Sequence, residues 1–97
     1  MIIVYTQETE HFARNLTPQD RARLYRVKEY FERNGFSIGS KYIKKVTDDL
    51  WELRAGRIRL LLFIKKDMFI CVYAFYKKTQ KLPKQYIKLA EKRIKQL

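Results

Sequence analysis

Between Leu50 and Tyr76 the chain has only two obvious breaks, Ala55-Gly56 and Lys65-Lys66-Asp67. Leucine-rich, β-branched and aromatic runs separated by so few turn-forming residues predict three successive strands in an antiparallel meander. A chain with this block at its centre must build a sheet, and its other segments must cover that sheet. Met1 to Thr6, rich in Ile, Val and Tyr, suits a further strand, and Lys41 to Val46 suits a basic one that precedes an Asp48-Asp49 turn.

The remaining segments read as helices. Glu8 to Leu16 is a short candidate. At Thr17-Pro18-Gln19-Asp20, Thr17 can cap, Pro18 sits where a missing N–H does no harm, and Asp20 favours the positive end of the helix dipole. Leu24, Val27 and Phe31 follow at helical spacing, and Asn34-Gly35 supplies a stop. Pro83 opens a last helix to Leu97, with Ile87, Leu89, Ala90 and Ile94 set among lysines. At 97 residues the chain lies below the usual domain size of roughly 100–150. One α+β domain over residues 1–97 is therefore expected: an antiparallel-dominated sheet with two N-terminal helices packed on it and a C-terminal helix.

Charge narrows the partners. Twenty-two Lys and Arg against ten Asp and Glu leave a formal charge of +12, which points to a polyanion. The sign alone leaves nucleic acid, a ribosomal RNA surface, an anionic membrane and an acidic protein eligible. The longest apolar stretch, Leu60 to Ile64, falls far short of the ~20 residues that span a bilayer, and the N-terminus lacks a charged segment followed by an apolar one. A soluble, cytoplasmic protein is expected. Cys71 is the only cysteine and lies in an apolar run, which suits a reducing compartment and a core position. His11 is the only histidine, so an intact two-histidine nuclease is excluded. No Cys/His/Asp set has metal-ligand spacing, and glycine-rich phosphate loops and serine elbows are missing, so neither metal nor cofactor is expected.

The first hairpin concentrates the chemistry. A two-residue loop at Ala55-Gly56 would set Arg54 opposite Arg57, Glu52 opposite Arg59, Leu53 opposite Ile58 and Trp51 opposite Leu60. Alternation then gives a core face of Trp51, Leu53, Ile58, Leu60, Leu62 and Ile64, and an opposite face of Glu52, Arg54, Arg57 and Arg59. Like charges directly opposite each other destabilise a sheet, and such violations of local rules often mark function. Guanidinium groups bind phosphate in a bidentate manner and stabilise charge that develops on it. The alternative is a plain one, in which Arg59 pairs with Glu52 while Arg54 and Arg57 splay into water. A bulged loop would send half the set to the other face. An even-numbered loop around Lys65-Lys66 would bring Val72, Ala74, Tyr76 and Lys78 beside the arginines, with Ala74 leaving space, Tyr76 stacking a base, and Lys77 or Lys78 contacting phosphate. Lys44 and Lys45 on the basic strand are further candidates for RNA contact, whereas the outward face of Arg21, Arg23, Arg26, Lys28 and Arg33, interrupted by Glu29 and Glu32, reads first as a solvated face and only secondly as a source of RNA-backbone contacts.

Taken together, Leu50-Trp51-Glu52-Leu53-Arg54, Gly56-Arg57-Ile58-Arg59, Ala74-Phe75-Tyr76-Lys77-Lys78-Thr79-Gln80-Lys81-Leu82-Pro83 and the Ala90-centred helix resemble the phage-derived, HigB-like branch of the RelE/ParE toxin superfamily over nearly the whole chain. The resemblance implies a RelE-like microbial RNase fold and a type II toxin: a metal-independent endoribonuclease that cuts mRNA on the ribosome, with cationic side chains helping the ribose 2′-OH attack its own phosphate. It also implies a cognate antitoxin, of the helix-turn-helix, HigA-like kind in this branch. Carried over by position, the catalytic set is Glu52, Arg54, Arg59 and Lys78. Arg57, Tyr76, Lys77, Lys44 and Lys45 are read as RNA-binding. Glu52 stands where the RelE pattern has lysine, and serves either as general base or to orient Arg59. No residue matches the C-terminal catalytic tyrosine of RelE, since Tyr86 lies in the final helix. Two other classes stay open, a ParE-like gyrase inhibitor acting by protein contact and a non-catalytic RNA- or ribosome-binding module.

Overall fold

Both N-terminal helices start on a threonine. In the computed structural model, which describes residues 1–97, strand β1 (Ile2–Tyr5) leads directly into helix α1 (Gln7–Arg14), and Thr6 accepts the Thr9 amide on its hydroxyl at 3.3 Å. Helix α2 (Pro18–Asn34) begins in the same way, with the Asp20 amide donating to Thr17 Oγ1 at 3.2 Å. It ends at Gly35, whose φ of 62° only glycine adopts cheaply. A 3₁₀ turn (Gly35–Ile38) leads to β2 (Ile43–Lys45), and then come β3 (Leu50–Ala55), β4 (Ile58–Lys65), β5 (Met68–Tyr76) and helix α3 (Lys84–Lys95).

The five strands form one sheet in the order β1-β5-β4-β3-β2. The meander β3-β4-β5 is antiparallel as expected, and β2 joins it antiparallel. Strand β1 pairs parallel with β5, Ile3 opposite Phe69 and Tyr5 opposite Cys71. Parallel pairing needs a crossover, and α1, α2 and the three intervening strands supply it. On the outer edge of β1, the Ile3 amide donates to Glu32 of α2 at 2.7 Å, which closes part of an otherwise open strand edge.

Apolar side chains alternate across the sheet and build a core on each face. Under α1 and α2 lie Leu24, Phe31, Leu53, Ile58, Leu60, Leu62, Phe69 and Cys71, all buried. Under α3 lie Leu50, Leu61, Val72, Phe75 and Ala90. The predicted core face of β3 and β4 holds for Leu53, Ile58, Leu60 and Leu62. Trp51 is half-buried against Phe36, and Ile64 is exposed, because the far end of the β4-β5 hairpin runs past the helices. Burial pushes the Cys71 thiol up to about 12, so it packs as a neutral apolar group. No helix is long and apolar enough to cross a membrane.

Candidate nucleic-acid site

The β3-β4 turn decides which cations meet. Its two loop residues are Gly56 and Arg57, not Ala55 and Gly56: Ala55 stays in the strand, 1% exposed, opposite Ile58, and Gly56 takes the positive φ, +61°. A buried alanine gains more inside the ladder than in an exposed turn, and a primed turn needs positive φ where only glycine is cheap. The expected pairs are therefore replaced. Arg54 lies opposite Arg59, Glu52 opposite Leu61, Leu53 opposite Leu60 and Trp51 opposite Leu62. Moving a two-residue loop by one position shifts each partner by two, so the faces are unchanged and Glu52, Arg54 and Arg59 still share one.

That face is the one covered by α3. Beyond the apolar patch, towards the turn, Arg54 Nε donates to Glu52 Oε1 at 2.8 Å. Arg59 Nη1 turns back and donates to the carbonyls of Gly56 and Ile58, at 2.5 and 3.0 Å. Glu52 thus holds Arg54, whereas main-chain carbonyls of the turn hold Arg59. Glu52 and Arg59 are both buried, 7% and 9% exposed, and Arg54 is half-buried. Burial pulls the Arg59 guanidinium below its ordinary value, Glu52 opposes that, and Arg54 adds to it. The group remains a cation at any physiological pH. Two guanidiniums therefore lie across the ladder from each other with one buried carboxylate beside Arg54, leaving a net positive, partly dry site.

Strand β5 brings a different set of neighbours from the one expected. The Lys65–Met68 end of the hairpin has the predicted even loop, Lys66-Asp67, but the register shifts between Leu61 and Leu62, leaving Val72 as an extra residue. A bulge of one residue reverses the side-chain alternation beyond it. Phe75, not Ala74, lies opposite Arg59, while Ala74 pairs with Leu60 and Tyr76 with Ile58 on the α2 face. Two side chains from distant helices take the bulge carbonyls: Thr9 Oγ1 donates to Cys71 O at 3.1 Å and Arg93 Nη1 to Val72 O at 2.8 Å. Phe75 stacks on Tyr73 and meets Tyr86 with ring centroids 4.7 Å apart. Tyr86 thereby joins the arginine side of the sheet, which spacing could not show because the bulge leaves no mark in the hydrophobic pattern.

The other candidates divide. Arg57 leaves the cluster: it binds Asp20 of α2 through Nε and Nη2 at 3.0 and 2.8 Å and lies over the Tyr76 ring, 4.9 Å from its centroid. That hydrogen bond holds the Asp20 carboxyl below the usual carboxylate range. A turn residue is free of the strand's alternation, so a carboxylate 37 residues away captures it. Tyr76 packs on Phe12 and belongs with Arg57, away from Arg59. The Lys77 amide donates to Arg57 O at 2.7 Å, which keeps the start of the Lys77-Lys78 segment beside the turn, with both side chains exposed. Lys44 lies opposite Glu52 on the arginine face and is exposed, whereas Lys45 lies opposite Trp51 on the other face, 3.7 Å from Asp48.

A pair of guanidiniums beside one carboxylate, with exposed lysines on the neighbouring segments, carries the chemistry to bind an anion such as a phosphate diester. A family model described as phage-derived protein Gp49-like (DUF891) matches residues 11–95. Comparison with curated protein sequences finds no match.

Proposed function

We propose that this chain, which belongs to the Gp49-like phage-derived protein family, is the toxin of a toxin–antitoxin pair and an endoribonuclease that cuts mRNA on the ribosome. The observation that carries the reading is the Arg54/Arg59 pair on one sheet face with Glu52, two like charges set directly across the ladder, an arrangement that costs a sheet stability. The net charge of +12 and the α+β fold, which fits a RelE-like RNase, agree with it.

In the reaction we propose, the ribose 2′-oxygen attacks the adjacent phosphorus, the bond to the 5′-oxygen of the next nucleotide breaks, and a 2′,3′-cyclic phosphate remains. The 2′-OH proton leaves to a base and the departing 5′-oxygen gains one. Arg54 and Arg59 neutralise the extra charge on the pentavalent phosphate, and removal of one such donor typically lowers the rate by roughly 10²–10³-fold. Lys77 and Lys78 bind the flanking phosphates or supply the proton. Glu52 engages Arg54 at 2.8 Å, which favours orienting that guanidinium over acting as base, and Tyr86 adds a phenol on the same side of the sheet. The cognate antitoxin, a helix-turn-helix protein of the HigA-like kind, is proposed to cover the basic face; opposite charge would make that association fast.

Primer extension on mRNA from a cell-free translation reaction tests this. New cleavage ends are expected with wild type, to require ribosomes, and to fall by at least 100-fold in Arg59→Ala and Lys78→Ala. Intact mRNA at an inhibitory dose of wild type sinks the nuclease reading; loss of supercoiling by gyrase at that dose would then place the target in gyrase.

A further inference from the structure

We infer that a second groove, running from the β3-β4 turn along the outer side of α2, binds the single-stranded RNA that flanks the cleavage point. It is an open groove of about 550 Å³ whose lining includes Arg23, Arg26, Val27, Tyr30, Lys41, Tyr42 and Gly56, a volume in the range of ordinary ligand sites, roughly 300–1,000 Å³. The choice of RNA over another polyanion rests on the nuclease reading; the groove itself rests on the geometry that follows.

The cations of α2 fall into two groups. Lys28 is paired with Glu32 and Arg33 with Glu29, each one turn away, while Arg21 donates to Leu16 O. Arg23 and Arg26, which line the groove, make no ion pair, and Asp20, one turn before Arg23, is occupied by Arg57. Lys41, from the loop before β2, has no carboxylate and lies over the Tyr42 ring, 5.6 Å from its centroid. Tyr30 and Tyr42 meet edge to face at 5.7 Å, and Tyr30 is 45% exposed. Guanidiniums outside any ion pair beside one exposed aromatic ring, Tyr30, are what a single strand needs: cations along the phosphates and a ring for a base, without sequence preference.

The groove also joins the arginine site at one residue. Gly56 touches both, because Arg59 donates to its carbonyl while the Arg23 side chain crosses its α-carbon so closely that a β-carbon there would lie 2.5 Å from Arg23 Cδ. A strand leaving the Arg54/Arg59 pair over the turn enters the groove within one residue's width.

The test is fluorescence anisotropy with an end-labelled twelve-nucleotide oligoadenylate over a salt series, on wild type, Arg26→Gln/Lys41→Gln, Tyr30→Ala and Arg59→Ala, run beside the primer-extension assay. The double variant should reduce the slope of log affinity against log salt by about 1.4, roughly 0.7 per lost phosphate contact in a single strand. Tyr30→Ala should weaken binding roughly five- to a hundred-fold with the slope unchanged. Arg59→Ala should abolish cleavage while retaining groove binding. If wild type binds with these dependences but never cleaves, the groove stands and the nuclease reading falls. If wild type cleaves and the groove variants match it in affinity and slope, the inference is overturned. The same holds if they lose affinity only for a polyglutamate peptide, which would make the groove a protein-docking surface.

Discussion

The two hairpins of the meander share strand β4 and both close on two-residue turns, yet they treat their partners differently. β3-β4 is a regular ladder from Leu50 to Ala55, so the alternation of residue types in the sequence is the alternation of faces in space. β4-β5 starts in regular register at Lys65–Met68 and is interrupted at Val72, after which every β5 side chain faces the opposite way from what its turn dictates. The difference has a cause in the rest of the molecule. Up to Cys71, β5 is held on its other edge by β1; beyond Cys71 that partner is gone, and the carbonyls of Cys71 and Val72 are taken by Thr9 and Arg93. The bulge sits where one strand partner ends and side-chain donors take over. Its consequence falls on the arginine face: Arg59 lies opposite Phe75, which stacks on Tyr73 and meets Tyr86, instead of opposite Ala74.

Removing the bulge residue is the hardest test of this contrast. Deletion of Val72 should cost about 3 kcal/mol, from the lost burial of a fully buried valine and the lost acceptor for Arg93. Phe75 should still lie opposite Arg59, because the ladder becomes regular on both sides of the gap; cross-strand nuclear Overhauser effects check this. An Ala74–Arg59 contact would mean that something other than the bulge sets the face. Next in size, Arg93→Met keeps the aliphatic stem but removes the donor to Val72 O and the ion pair to Glu8. It should cost about 2 kcal/mol, lowering the melting temperature by roughly 8–16 °C at this chain length. An unchanged melting temperature would show that the bulge needs no clamp.

On the regular hairpin, Gly56→Ala places a β-carbon at φ +61° and against Arg23. A loss of about 1 kcal/mol is expected in urea unfolding, since the arginine can move but the backbone strain remains. The smallest effect has the opposite sign. Lys66, in the β4-β5 turn, is the one non-glycine residue with positive φ, 57°, and Lys66→Gly should stabilise the protein by about 0.5 kcal/mol, strain relief being partly offset by chain entropy. Equal destabilisation by both turn substitutions would remove the distinction drawn between the two turns.

Much of this molecule is legible in the residue pattern, for reasons that are local. Thr17-Pro18 and Gly35 mark the ends of α2 because capping and positive φ are properties of single residues. The shared face of Glu52, Arg54 and Arg59 survives even a misplaced turn, since a one-step shift of a two-residue loop preserves parity. The hydrophobic alternation of β3 and β4 settles which side faces the core. The partners of Arg57, Tyr76 and Phe75 are not local. Arg57 is drawn to Asp20 only once α2 lies beside the turn, and Tyr76 follows it onto Phe12. Lys45 parts from Lys44 because neighbours on a strand point to opposite faces. The sequence by itself determined the main helices and strands, the Thr17 and Gly35 ends of α2, the charge and the face that Glu52, Arg54 and Arg59 share, because each depends on residue type and spacing. Only the tertiary structure decided the bulge, and with it the neighbours of Arg59, because that choice depends on where β1 ends and which distant side chains reach the carbonyls left over.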